Sequence, residues 1–146
     1  MQHTYHKKAP IIFVAALLLL TCAGPGTPPS NLRVGADLVP VPKIFSFDPV
    51  SISLCNRDAG GKLIVPVRNQ GTSRARGTST RVVFFGLGAR FETTDSIPAG
   101  GTVNVLFQMP AGCFNPDCDF RVTVDSDAQI DELSEENNSA SDRCIG

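Results

Sequence analysis

The sequence predicts an all-β domain, an antiparallel sandwich of short strands, that follows an export segment. Three observations predict it. Apolar and polar residues alternate in short runs from residue 37 onward, and clusters of Gly, Pro, Asn and Asp separate the runs. No 3.6-residue apolar period is sustained over about ten residues, as a helix would require. Short, regularly punctuated strands are typical of an antiparallel sandwich.

Residues 1–21 have the pattern of a signal peptide. Lys7 and Lys8 precede an apolar run at residues 9–20, which is shorter than the roughly 20 residues of a membrane-spanning helix. The cleavage region at 19–22 resembles a bacterial lipobox, which predicts lipidation of Cys22; ordinary cleavage after Ala23 is the alternative. We therefore expect an exported protein, either lipid-anchored in the cell envelope through Cys22 or periplasmic or secreted.

Cysteine parity favours the lipid anchor. The chain has five cysteines, of which four can pair in an oxidising compartment, and the odd one stands at the lipobox position. Residues 22–36 then form a tether rich in Pro and Gly. An extended chain of this length would hold the domain at residues 37–146 up to roughly 45 Å from a membrane. A lipid on Cys22 is the only membrane contact that we expect.

The strands are expected where the alternation is regular. Pro66 lacks a backbone donor, so we expect a bulge or an edge position there. Residues 81–85 are apolar on both faces, which indicates a central or covered strand; of Phe84 and Phe85, one is expected to point inward and the other to lie under a neighbouring strand. The runs that alternate occupy 50–54, 62–68, 102–109 and 120–125.

Composition excludes several function classes. Both histidines, His3 and His6, lie in the export segment, so the mature chain has no imidazole for a Ser-His-Asp triad, a zinc site or a pH switch. Without Lys7 and Lys8, 11 basic residues face 14 acidic ones, a balance with no general attraction for nucleic acid. We expect a protein that is not an enzyme and binds no nucleic acid.

Four segments of the chain carry a family pattern: Ala36-Asp37-Leu38-Val39, Val67-Arg68-Asn69-Gln70-Gly71-Thr72, Ile97-Pro98-Ala99-Gly100-Gly101-Thr102, and residues 122–138. In this order they resemble the CARDB domain (cell adhesion related domain found in bacteria). The resemblance covers essentially all of residues 37–146 and is most specific in the closing block, where Val124-Asp125 and an acidic turn precede Asn137-Asn138. It implies a seven-stranded immunoglobulin-like sandwich without established catalytic residues; the adhesion role is an analogy from the family name.

That topology also implies where the loops lie. It places all four mature cysteines at one end of the sandwich, where three pairings are possible; we favour Cys55–Cys144 and Cys113–Cys118. It places the basic loop, residues 69–78, and the acidic loop, residues 125–138, together at the other end.

The acidic loop has two interpretations. Asp125, Asp127 and Asp131, with Glu132 or Glu135, could supply the hard oxygen ligands that Ca²⁺ prefers, although their spacing matches no EF-hand loop. The alternative is a solvated turn whose side chains cap nearby amides, partly neutralised by Arg74 and Arg76 of the basic loop. Apart from this candidate, no cofactor is expected.

Taken together, the sequence indicates a non-catalytic exported module that acts through contacts with a protein or cell-surface partner. The alternatives are a Ca²⁺-stabilised surface module and an accessory or inhibitory subunit of an exported enzyme.

Overall fold

The computed structural model describes residues 33–45 and 51–146. Within them the chain forms strands and no helix, and so no helix able to cross a membrane. The expected signal peptide at 1–21 and the tether residues 22–32 lie outside the described residues. The strands are β1 (Leu38–Pro40), β2 (Lys43–Phe45), β3 (Ser51–Ser53), β4 (Leu63–Asn69), β5 (Thr78–Phe84), β6 (Gly88–Thr94), β7 (Thr102–Phe107), β8 (Ala111–Phe114), β9 (Asp117–Thr123) and β10 (Ser139–Ile145).

Seven of these strands form two antiparallel sheets that pack face to face. One sheet has the strand order β1-β4-β7, and the other has the order β10-β9-β5-β6. β2 and β3 form a separate two-stranded ribbon, and β8 leads directly into β9. The structure therefore confirms the all-β, seven-stranded antiparallel sandwich that the sequence predicts.

The core lies between the two sheets and follows the alternation in the sequence. On β4, Val65 and Val67 are fully buried, whereas Arg68 points to solvent. In the facing sheet, the rings of Phe84 on β5 and Phe120 on β9 pack with their centroids 6.2 Å apart. Each fully buried side chain of this size contributes about 1.5–3 kcal/mol of transfer free energy.

Pro66 lies where one ladder ends. Its register with Asn104 of β7 is continuous, so β4 has no bulge on that side. The N–H of Val41 donates to the carbonyl oxygen of Pro66 over 2.8 Å, which shows that the backbone of Pro66 faces β1. β4 is the central strand of its sheet and Val41 lies opposite Pro66, so the expectation of a bulge or an edge position is wrong. The proline is accommodated because its missing donor falls one residue beyond the end of β1 at Pro40.

Residues 81–85 follow the prediction except at Phe85. β5 is a central strand, between β9 and β6, and the side chain of Phe84 points into the core. The expectation that Phe85 would lie under a neighbouring strand is wrong, because its side chain is 56% exposed. It shares the outer face of the sheet with residues 81 and 83, which are half-buried.

The chain joins the sandwich between the basic loop and the acidic loop. The carbonyl oxygen of Gly35 accepts hydrogen bonds from the N–H groups of Thr72 and Ser73, and Ala36 forms a parallel bridge with Glu132. A Cβ at Gly71 would overlap the Gly35 carbonyl oxygen, so glycine is required for this close approach. The two loops thus lie together at one end, as expected.

Asn69 holds this end together. Its amide Nδ2 donates to the carbonyl oxygens of Ser73 and Ile97, and its Oδ1 accepts from the N–H groups of Asp37 and Gly71. The side chain is completely buried. One amide therefore binds β1, the basic loop and the segment before β7 to the end of β4.

Candidate interaction surface

The four cysteines of the described chain form two bridges at the end opposite these loops. Cys55 is joined to Cys144 with the Cα atoms 5.2 Å apart, and Cys113 is joined to Cys118 with a Cα distance of 4.7 Å. These are the pairs favoured from the resemblance. Cys22 lies outside the described residues, so its lipidation stays a prediction.

Asp142 reinforces the disulfide end. Its Oδ2 accepts hydrogen bonds from the hydroxyl of Ser53 and the N–H of Leu54, both over 2.6 Å. Burial by itself would raise the pKa of Asp142, but the Ser53 hydroxyl and the N–H groups of Arg143, Leu54 and Cys55 together hold that pKa below its ordinary value. The carboxylate thus binds the segment that contains Cys55 to the strand that contains Cys144.

The predicted calcium ligands are separated by the fold. Asp125 is buried and accepts three hydrogen bonds, from the Thr78 hydroxyl and from the N–H groups of Gln129 and Ile130. Asp127 and Asp131 are exposed on the loop surface. Within residues 33–45 and 51–146, no three His, Cys, Asp or Glu side chains are grouped closely enough to hold a metal ion. Asp125 therefore caps the turn, as in the solvated-turn interpretation.

Glu132 is the residue of the acidic loop whose pKa is shifted from its ordinary value. Burial raises the pKa of Glu132 to about 7; the hydrogen bond from the N–H of Leu38 lowers it, while the carboxylates of Glu135, Asp125 and Asp37 add to the rise. The Nδ2 of Asn138 also donates to Glu132. The protonation state of this one side chain is thus coupled to the attachment of β1.

A cleft of about 370 Å³ separates the basic loop from the acidic loop. Arg74 and Arg76 line it together with Asp131, and Arg76 donates to the carbonyl oxygen of Gln129. In the described part of the chain the ion pairs are those of Arg143 with Asp117 and Asp119. Arg76 therefore joins the two loops, whereas Arg74 donates to the hydroxyl of Ser96. Neither arginine forms an ion pair with an acidic side chain of the described residues.

Among the side chains that the structure describes, the exposed aromatic ones, Phe85 and Phe91, lie on the outer face of the β10-β9-β5-β6 sheet. We call residues Val83, Phe85, Ala89 and Phe91 the aromatic stripe. Val83 is paired with Ala89 across the β5–β6 ladder, so both side chains are on the same face, and Phe85 and Phe91 extend that row in opposite directions. Phe85 is 56% exposed and Phe91 57% exposed.

Arginines border the aromatic stripe. Arg81 is the cross-strand partner of Phe91, and Arg121 is the partner of Val83. Further along the face, Arg143 binds Asp119 through its Nε and Nη2. Aromatic and arginine side chains are the types enriched at protein interfaces.

The β6 strand is an open edge next to the stripe. Six of its seven residues are exposed, and within the described residues β5 is its one ladder partner. The side chains of Arg90 and Glu92 form no ion pair with described residues. An edge of this kind presents unpaired N–H and C=O groups along its free side.

Sequence reasoning did not single out β6. Its residues break the alternation, because charged and aromatic side chains follow one another without a buried face, and for that reason no strand is expected there. The order Arg90-Phe91-Glu92 is the signal that could have found it, since opposite charges flank a large apolar side chain.

Comparisons with known proteins agree with this geometry. The CARDB family model matches residues 57–142. The solution NMR structure of a domain from a Methanosarcina acetivorans protein, named as a cell-surface protein, aligns with a TM-score of 0.59 at 18% identity over 77% of this chain and 92% of that chain. The crystal structure of the CARDB domain of a Pyrococcus furiosus protein in complex with di-metal ions aligns with a TM-score of 0.56 at 22% identity, over 80% and 93%. No curated protein matches the chain.

The two facing sheets and these structural neighbours define an immunoglobulin-like sandwich module. The chain belongs to the CARDB family, because the family model matches more than half of its 146 residues. Its two bridges are consistent with an exported protein, since disulfides are rare in reducing compartments.

Proposed function

We propose that this chain is a non-catalytic exported module that binds a protein partner at the cell surface through the aromatic stripe. The observation that carries the proposal is the exposure of Phe85 and Phe91 on one open sheet face. Single exposed apolar residues are ordinary on a protein surface, but contiguous aromatic patches bordered by polar groups mark interaction sites.

The chemistry of the stripe favours a protein partner. Rigid aromatic side chains bury a large area at a small cost in conformational entropy, and the neighbouring Arg81 and Arg121 can bind carboxylates or carbonyl oxygens of a partner. The absence of imidazole from the mature chain and the family assignment both support a role without catalysis. Export and anchoring through Cys22 would place the stripe outside the cytoplasm.

The test compares two matched substitutions of exposed apolar residues. Phe85→Ser removes the aromatic side chain at one end of the stripe, whereas Leu106→Ser alters β7 of the opposite sheet, where Leu106 is 43% exposed. Binding of the purified protein to envelope fractions is measured by sedimentation over a concentration series. We expect Phe85→Ser to weaken saturable binding about tenfold or more and Leu106→Ser to preserve it.

Equal binding by both variants and the wild type would refute the proposal. A single stoichiometric enzyme captured through the stripe would instead identify an accessory or inhibitory subunit, because adhesion does not require one fixed enzyme partner.

A second candidate is a module that Ca²⁺ stabilises. It is favoured by the Pyrococcus furiosus domain, which was solved in complex with di-metal ions. Under this candidate, Ca²⁺ at about 100 times its dissociation constant adds about 2.7 kcal/mol to the free energy of unfolding. An unfolding temperature equal in Ca²⁺ and in chelator would eliminate it.

A further inference from the structure

We propose that β6 pairs in antiparallel fashion with β6 of a second copy of this chain, about a two-fold axis at Phe91. The inference rests on the proposed function and names the partner at one end of the aromatic stripe. The pairing would join two four-stranded sheets into one continuous sheet of eight strands, with the Phe91 side chains of the two copies adjacent on its outer face.

The strand is complementary to itself. With the axis at Phe91, Arg90 of each copy lies opposite Glu92 of the other, and Ala89 lies opposite Thr93. Arg90 and Glu92 point to the same face, because their partners on β5, Val82 and Thr80, are two residues apart. Two opposite-charge pairs and one aromatic pair therefore form in the same register, each of a kind that stabilises antiparallel strands.

Both charged side chains are available for this pairing. Glu92 accepts no side-chain hydrogen bond in the described part of the chain, and Arg90 donates only to the neighbouring carbonyl oxygen of Ala89. The ladder with β5 is continuous from Thr78–Thr94 to Phe84–Gly88. No bulge or proline interrupts the free edge of β6. Arg90 and Glu92 lie on its core-facing side, opposite buried Val82 and Thr80, where charges discourage pairing with most strands; the self-paired register is the one that matches them.

The other edges of the two sheets lack this combination. β1 has three residues, and β7 has no charged residue. On β10, Asp142 already binds Ser53 and Leu54, and Arg143 already binds Asp119. Among the edge strands of the described sandwich, β6 thus combines length, exposure and unpaired opposite charges.

The pairing is expected to be weak in solution. A seven-residue edge buries less than the roughly 1,200 Å² of a standard stable interface, so dimers form at high local concentration. Two modules held on one surface would provide that concentration. Contacts of this type suit adhesion, in which many weak pairs act together.

Charge reversal tests the register. The full chain is exported as a Cys22→Ser variant, which removes the lipid and the odd thiol, and its association is followed by sedimentation equilibrium with both disulfides intact. We expect Arg90→Glu and Glu92→Arg each to weaken dimerisation about tenfold, because each places like charges opposite one another. The double variant should recover the wild-type association, because its opposite charges are merely exchanged.

Mixing the two single variants supplies a readout that altered folding does not produce. A chain with two acids pairs with a chain with two arginines, so heterodimers should form although neither variant associates alone. A wild-type chain that stays monomeric up to millimolar concentration, or single variants that dimerise like wild type, would overturn the inference.

Phe85→Ser separates this inference from the proposed function. Phe85 lies outside the paired strand, so that variant should dimerise normally while losing envelope binding. Loss of envelope binding without any wild-type dimer would leave the proposed function standing and remove the β6 pairing. If Phe85→Ser instead dimerises normally and its envelope binding is unchanged, the β6 pairing stands and the proposed function is refuted.

Discussion

The carboxylate of Asp142 on β10 accepts a hydrogen bond from the hydroxyl of Ser53 on β3 over 2.6 Å. The same oxygen accepts the N–H of Leu54, a buried residue. β3 belongs to a ribbon outside the two sheets, so this one carboxylate attaches the ribbon to the edge of the sandwich. The Cys55–Cys144 bridge lies beside it and makes the same connection covalently.

Asp142→Ala is expected to destabilise the domain by about 1–3 kcal/mol, because the N–H of Leu54 loses its charged acceptor. The free energy of unfolding in urea measures this, with Ser141→Ala, an exposed neighbour, as the unaffected control. The pKa of Asp142 is lowered on folding from its ordinary value of 3.8, so its contribution is present above that pH. It is lost as the pH falls through the folded pKa. A difference between the variant and wild type that persists unchanged at pH 2 would contradict this assignment.

Removal of either disulfide should lower the free energy of unfolding, by a larger amount for Cys55–Cys144 than for Cys113–Cys118. The Cys55–Cys144 bridge joins residues 89 apart, and the Cys113–Cys118 bridge joins residues 5 apart. The chain-entropy relation assigns about 4–5 kcal/mol to the larger ring and about 2 kcal/mol to the smaller one. Two variants, each with both cysteines of one bridge replaced by alanine, are compared by denaturant unfolding to measure which bridge contributes more. A larger loss from the smaller ring would show that loop closure is not the dominant effect.

Asn69→Ala is expected to cost about 3 kcal/mol or more, since four buried backbone groups lose their partner at once. Asn104→Ala is the matched control, because Asn104 is exposed on the outer side of β7. Hydrogen exchange should show the largest loss of protection at Asp37 and Gly71, whose N–H groups donate to Asn69. Equal unfolding free energies for the two variants would contradict the central role of Asn69.

Glu132 should make the domain less stable as the pH rises. The pKa of Glu132 in the folded state is about 7, above its ordinary value of 4.5, so between these two values the folded state binds more protons than the unfolded state. The free energy of unfolding should therefore fall from pH 4.5 to pH 7 and level off above that. Glu132→Gln should remove this slope, while Glu136→Gln, an exposed neighbour, should retain it. An unchanged slope in Glu132→Gln would assign the pH dependence to another group.

Much of the sandwich was predictable because strand alternation is a local property. Val65, Val67 and Val122 are buried where the alternating pattern places them, since successive side chains of a strand point to opposite faces. The closing block around Asp125 and Asn138 likewise indicated the family. The prediction for Phe85 was wrong because its burial depends on whether another segment packs on the outer face of the β10-β9-β5-β6 sheet. A local sequence pattern carries no information about such long-range packing.

The acidic loop shows the same difference between what the sequence predicts and what tertiary contacts decide. The sequence identified it as a group of oxygen-bearing side chains, but Asp125 became an internal cap, Asp127 stayed in solvent and Glu132 gained a raised pKa. These differences arise because folding brings the Thr78 hydroxyl to Asp125 and the N–H of Leu38 to Glu132, and because burial raises the pKa of Glu132. Hydrogen-bond partners distant in sequence are a product of tertiary contact.

The sequence by itself determined the all-β class, the core-facing residues and the family, because these depend on side-chain alternation, turn residues and local motifs. Only the tertiary structure decided that β6 is a free edge, that Phe85 and Phe91 share an outer face, and that Arg90 and Glu92 form no ion pair among the described residues. The physical reason is that exposure and pairing are properties of what surrounds a residue, and in a sandwich those surroundings come from strands far apart in the chain.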